Sequence, residues 1–175
     1  MADPAHIEKL SEGVEAWNRW RREHPDSLPD LGQADLREAS LERVDFRGVR
    51  LWRADLSGAD LTRADLGGAN LRLAVLENAK LHKANLRATV FVGTRLAGAE
   101  LHGAKVWRTR FCALDLSRTR GLETLSHHGP STVGLDTLIE SGPSLPDAFL
   151  RGTGVPDWAF PHIKRICDAK PDSSA

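Results

Sequence analysis

From Leu36 onward a large apolar residue returns every five positions. The series runs Leu36, Leu41, Phe46, Leu51, Leu56, Leu61, Leu66, Leu71, Leu76, Leu81, Leu86, Phe91, Leu96, Leu101, Val106, Phe111 and Leu116, seventeen in succession. Two residues before each stands a mostly small side chain, alanine in eleven of the seventeen cases. Leu31 fits the same register one step earlier. A period of five suits neither standard element. On an α-helix five residues advance about 500°, so successive leucines would spiral round every side. On a straight strand an odd spacing throws them alternately up and down. A chain that turns a corner every five residues brings all of them to one axis. Short-period repeats of this kind make a solenoid, in which each coil buries its apolar face on its neighbours.

Proline gives an independent check. All nine prolines lie at or before Pro29, or at or after Pro130. A ladder of hydrogen bonds between coils excludes proline, which has no N–H. Residues 30–129 therefore read as one uninterrupted unit. The 175 residues are 41 % hydrophobic and 27 % charged, with 24 basic and 24 acidic side chains. That composition excludes a disordered chain and fits one domain with end pieces. No apolar run approaches membrane-spanning length, and the N-terminus does not read as a secretory signal. Cys112 and Cys167 make neither a disulfide framework nor a metal knuckle, which fits a reducing cytoplasm.

The runs Ala54-Asp55-Leu56, Ala59-Asp60-Leu61, Ala64-Asp65-Leu66 and Ala69-Asn70-Leu71 resemble the signature of the pentapeptide-repeat family. The resemblance covers residues 34–118. It implies an all-β solenoid, a right-handed quadrilateral parallel β-helix with four repeats per coil, so seventeen repeats give a little over four coils. Leu56, Leu61, Leu66, Leu71, Leu76, Leu81, Leu86, Phe91 and Phe111 are then core residues. Phe91 and Phe111, twenty apart, are expected to stack.

A solenoid leaves its first and last coils open, so both ends need covers. Residues 4–23 read as one amphipathic helix, with Asp3 as its N-cap and Pro4 in its first turn. Ile7, Leu10, Val14, Trp17 and Trp20 share one face of about 140°, which predicts a lid on the first coil. Val14 to Arg21 also resembles the leader found before many pentapeptide-repeat segments. After Leu116 the register ends, and short helical pieces are predicted around Leu135–Ile139, Phe149–Leu150 and Trp158–Ile166. The expected division is a capping helix and linker over 1–28, the β-helix over 29–120, a helical C-terminal cap over 121–167 and a flexible tail over 168–175. The stretch from Leu135 to Asp157 resembles a segment that follows pentapeptide repeats in bacterial multidomain proteins. Some of those continue into a signalling module of the Toll/interleukin-1 receptor type, whereas this chain stops at Ala175.

Motifs that carry chemistry are sparse. No phosphate-binding glycine loop and no nucleophile elbow occur. His127-His128 precedes Gly129 and Pro130, and a metal there needs a third ligand, Asp136 or Glu123, that no spacing demands. His82 and His102 stack one coil apart, but two imidazoles alone make a poor metal site. No cofactor, no metal and no catalytic residue is expected.

Charge is distributed unevenly. Residues 34–118 hold fifteen basic and ten acidic side chains, a net +5, whereas residues 1–33 sum to −3 and residues 119–175 to −2. One column reads Arg43, Arg63, Lys83, with His82 and His102 on the same face. Like charges stacked at coil spacing repel, so they are spread into solvent or used on an anion. The neighbouring column, Ser40, Asp60, Lys80, Glu100, alternates and balances itself. The expected function is a non-enzymatic scaffold or protein-interaction module with an unidentified protein partner, an adaptor in a bacterial signalling or defence system, using Arg43, Arg63, Lys83, His82 and His102. The family also includes proteins that protect or inhibit DNA gyrase as DNA mimics. That alternative rests on Asp35, Asp55 and Asp115, but the net basic rod disfavours it, as it disfavours an acidic mimic generally. No membrane role is expected, nucleic-acid binding is not favoured, and the oligomeric state is left open.

Overall fold

In the computed structural model, which describes residues 1–168, the pentapeptide satisfies all five of its backbone N–H groups. In the repeat Ala59–Arg63, Ala59 N–H closes the corner on Leu56 C=O at 3.0 Å. Asp60 N–H reaches back one coil to Ala39 C=O at 2.9 Å, and Leu61 and Arg63 reach forward to Lys80 and His82 carbonyls, both at 2.8 Å. The fifth group, Thr62 N–H, is taken by the Asp60 side chain at 2.9 Å. The same local bond recurs at Asp55, Asp65 and Asn70. This is why Asp and Asn precede so many of the leucines: their short side chains hold the backbone two residues on.

The corner also fixes the residue two after each large apolar one. Every fifth residue from Gln33 to Ala113 has φ between 52° and 75°, and eleven of these are not glycine. A left-handed conformation costs a non-glycine residue about 1–2 kcal/mol. The ladder to both neighbouring coils and the buried leucines offset that cost, since each fully buried leucine contributes about 1.5–3 kcal/mol.

Parallel bridges join residues twenty apart in four columns, which begin at Asp30, Asp35, Ser40 and Asp45. The chain is thus a parallel solenoid with four repeats per turn. Where a column straightens it becomes strand. β1 (Val90–Val92), β3 (Arg110–Cys112) and β5 (Thr132–Val133) lie in the order β1-β3-β5, and β2 (Lys105–Val106) pairs with β4 (Ser126–His127). Inside, Leu56, Leu61, Leu66, Leu71, Leu76, Leu81, Leu86, Phe91 and Phe111 are fully buried. Phe91 and Phe111 stack with ring centroids 5.6 Å apart and planes 6° from parallel. Buried Thr89, Thr94 and Thr109 replace the usual alanine, and each hydroxyl donates to a carbonyl of the preceding coil at 2.7 Å.

The N-terminal segment differs from the single helix predicted over 4–23. It forms α1 (Pro4–Ser11) and α2 (Val14–Glu23), broken at Gly13 with φ 101°. Only glycine takes that conformation cheaply, and the break re-aims the second helix. Asp3 caps α1 through Ala5 N–H at 2.9 Å. Because the helix is not straight, the predicted apolar face splits. Trp17 is fully buried and Leu10 is buried, Val14 and Trp20 pack at the margin, and Ile7 is 36 % exposed rather than part of the lid.

The C-terminal segment also departs from expectation. Pairing does not end at residue 120, because β4 and β5 add a further partial coil. Its offset from the preceding coil grows from 20 at Arg120 to 21 at His127 and 22 at Val133. Single residues are inserted at corners, so the apolar period vanishes while the ladder continues. Pro130 fits here because only its carbonyl is used, accepting from Arg108 N–H at 2.9 Å. Beyond lie α3 (Leu135–Ser141), α4 (Asp147–Thr153) and α5 (Phe160–Asp168). Phe149 of α4 meets Phe111 edge-on at 5.5 Å and closes the core. Trp158, predicted in the last helix, sits just before α5 and is 74 % exposed. Apart from Asp168, the tail expected over 168–175 lies outside the described residues.

Candidate interaction face and histidine–glutamate cluster

Arg43, Arg63 and Lys83 occupy the left-handed corner position of successive coils. Their backbones are laddered, Arg63 N–H to His82 C=O at 2.8 Å and Lys83 N–H to His102 C=O at 2.9 Å. Their side chains are exposed and, among the described residues, form no ion pair within 4.0 Å. The adjoining column behaves differently. Lys80 lies 3.9 Å from Asp60, and Arg120 lies 3.2 Å from Glu100. One column neutralises itself across the coils while its neighbour presents uncompensated cations. Lys105, which the sequence did not single out, lines an open groove together with Arg63, Lys83, Asp65 and Asn85. The Asn85 amide donates to Asp65 at 2.8 Å.

His82 and His102 do stack one coil apart, with centroids 5.4 Å apart and planes at 84°. They are not alone. Glu100 arrives from the adjoining column, its Oε2 2.7 Å from His82 Nε2, while Arg120 holds its other oxygen. These hydrogen bonds, His82's first, hold the Glu100 carboxyl below its ordinary pKa. One ligand atom from each of the three side chains lies within 4.8 Å of the others. The sequence placed Glu100 in the neighbouring balanced column and did not join it to the histidines, because it follows His82 by eighteen residues rather than twenty. Its signal was the pair Glu100-x-His102 flanking a core leucine.

The other candidates stay apart. His127 and His128 form no such cluster with Asp136 or Glu123 among the described residues. Asp136 instead accepts from Ala113 N–H at 3.0 Å, and half-buried His127 packs against the backbone of Gly152, where a Cβ would collide with its ring. Burial lowers the His127 pKa, partly opposed by a hydrogen bond with the Gly152 backbone. On the acidic column, Arg37 binds Asp35 at 2.6 Å and reaches within 4.0 Å of Asp55. The hydrogen bond from Arg37 lowers Asp35 to about 2.

Pentapeptide repeats match this chain in 8 copies over residues 30–63, 54–93 and 79–118. The chain belongs to the pentapeptide-repeat family. Solved members of the family resemble it over the repeat body. A protein of the Arabidopsis thaliana thylakoid lumen is 29 % identical, covering 51 % of this chain and 66 % of its own, with a TM-score of 0.47. Rfr23 from the cyanobacterium Cyanothece 51142 is 26 % identical, covering 59 % of this chain and 69 % of its own, with a TM-score of 0.50. QnrB1, a plasmid-mediated fluoroquinolone resistance protein, is 24 % identical, covering 62 % of this chain and 50 % of its own, with a TM-score of 0.50. This chain thus spans half to about two thirds of the length of these structures. No curated protein sequence matches it significantly. Among the described residues no helix is long and apolar enough to cross a membrane.

Proposed function

We propose that this pentapeptide-repeat protein is a non-enzymatic scaffold, a right-handed quadrilateral β-helix that offers its Arg43–Arg63–Lys83 column to an acidic patch on a protein partner. The observation that supports this reading is the contrast between columns. Asp60–Lys80 and Glu100–Arg120 compensate one another, whereas Arg43, Arg63 and Lys83 are exposed without an ion pair among the described residues. Stacked like charges held on a rigid ladder repel each other, and an acidic partner relieves that repulsion and gains electrostatic steering. We assign residues 1–28 to an N-terminal cap and the segment after the repeats to a C-terminal cap. The junction between body and cap then falls just after Val133 rather than at residue 120. A reducing, cytoplasmic setting and an adaptor role in a bacterial signalling or defence system belong to the same proposal.

A DNA mimic that binds gyrase ranks second. QnrB1 shares the fold, but the face such a mimic would use here is partly neutralised, because Arg37 binds Asp35 and approaches Asp55, leaving Asp115 exposed. The experiment is capture of partners from the native host's nuclease-treated lysate by the wild type and by the Arg43→Ala/Arg63→Ala/Lys83→Ala triple variant. An acidic protein held by the wild type, released by salt and lost with the triple variant carries the proposal. Recovery of the same proteins by both overturns it, and recovery of gyrase subunits by both favours the mimic.

A further inference from the structure

We propose that His82, Glu100 and His102 form a surface site for a first-row divalent cation of the Zn²⁺ or Cu²⁺ kind. The donor set is two imidazoles and one carboxylate, which suits these ions and leaves positions open for water or an external ligand. Three features favour it. The ligand atoms already lie within 4.8 Å of one another, and His102 is exposed to solvent. The 2.7 Å contact between His82 Nε2 and Glu100 Oε2 is a hydrogen bond, so an ion enters by displacing its proton and spreading the pair to the ~3.3 Å edge of a tetrahedron with bonds of ~2.0–2.1 Å. Arg120 binds the other Glu100 oxygen at 3.2 Å, which turns Oε2 toward the histidine pair in the manner of an outer-shell partner.

Surrounding charge is accommodated. Lys80, the cation one residue from the coil's His82 leucine, is turned to Asp60 at 3.9 Å. His82 and His102 stand on successive coils, so an ion bridging them fastens one turn of the solenoid to the next. Binding should therefore raise the melting temperature, since a ligand held only by the folded state stabilises it. The cation also sits beside Lys83 and adds charge to the basic column. The site itself does not depend on that column having a partner, because its readouts are metal affinity and melting.

The test is titration of the whole chain with Zn²⁺ by calorimetry, thermal melting at rising Zn²⁺, and electron paramagnetic resonance with Cu²⁺. One equivalent should bind, with coupling to two imidazole nitrogens, and Cu²⁺ should bind more tightly than Zn²⁺. His82→Asn and His102→Asn should each weaken Zn²⁺ binding by more than about tenfold and abolish the rise in melting temperature. Glu100→Gln, which keeps the shape, should weaken it in the same direction. His128→Asn should leave both unchanged. Equal Zn²⁺ affinity in the wild type and the His82→Asn/His102→Asn double variant overturns the proposal, as does a wild type whose melting temperature ignores Zn²⁺.

Discussion

The two ends of the solenoid face one problem and solve it with different materials. At the N-terminal end the first coil has unpaired backbone groups and an open apolar core. The helix α2 lies across it and supplies side chains in place of a missing coil. Trp17 Nε1 donates to Asp45 C=O at 2.8 Å, Asn18 accepts from Asp45 N–H at 2.7 Å, and Arg21 donates to Arg47 C=O at 2.7 Å. Trp17 meanwhile meets Phe46 edge-on at 5.7 Å. At the C-terminal end the chain first continues the ladder in β4 and β5, then covers the rest with helices. There Asp136, Thr137 and Ser141 accept from Ala113, Leu114 and Leu116 N–H groups at 3.0–3.2 Å. The first end is sealed by α1 and α2, with Leu10 and Trp17 buried on the core, and the second by a partial coil and the helices beyond it.

The largest effect should come from the two aromatic plugs. Trp17→Ala and Phe149→Ala each remove a fully buried ring, a loss of about 3–5 kcal/mol. A solenoid couples mainly to nearest neighbours, so the damage should stay local before it becomes global. Hydrogen exchange should accelerate first over residues 31–50 in Trp17→Ala and over residues 110–134 in Phe149→Ala. Uniform acceleration along the whole chain in either variant would contradict this picture of two independent seals.

Next come the polar seals. Thr137 both accepts from Leu114 N–H at 3.2 Å and donates to Phe111 C=O at 3.1 Å in a buried setting. Thr137→Val keeps the volume but leaves two buried groups unpaired, which should cost about 1–3 kcal/mol. Asn18 makes a comparable pair of bonds, to Asp45 N–H and from its amide to Arg43 C=O at 2.9 Å, but at a half-buried site. Water can replace part of them, so Asn18→Ala should cost about 0.5–1.5 kcal/mol. Urea denaturation of the two variants checks the ranking. An Asn18→Ala loss exceeding that of Thr137→Val would reverse the assignment of the better-buried seal.

This contrast also explains what could be read from residues alone. The body was legible because one backbone corner repeats, and its demands for a small residue, a short acceptor and a large apolar residue appear every five positions. The plug Trp17 was legible as an apolar helix position. Asn18 and Arg21 were not, because their role is to complete a backbone edge that exists only once the coil is formed. The continuation through β4 and β5 was hidden by single-residue insertions that break the period without breaking the ladder. At the candidate site, twenty-residue arithmetic aligned His82 with His102 and Arg43 with Arg63 and Lys83. It left Glu100 in its own balanced column without joining it to the histidines, and it missed Lys105, which lies in the column that follows.

The smallest expected effect separates the ends by pH. His127 closes the C-terminal side against Gly152, and burial lowers its pKa from the ordinary 6.5. Between the unfolded and folded values the unfolded chain binds a proton that the folded chain does not, so stability falls as the solution is acidified. The contribution is whole above about pH 6.5 and is lost as pH drops through the lowered folded-state value. Protonation charges a ring whose Nδ1 is buried without a hydrogen-bond partner among the described residues, so exchange over residues 126–134 should quicken first. His127→Gln should flatten this local dependence between pH 7 and 5 while leaving exchange over residues 31–50 as in the wild type. If the variant keeps the full acid sensitivity of that segment, the proton acts elsewhere, and the C-terminal seal is held by α3 and α4 without a contribution from the imidazole.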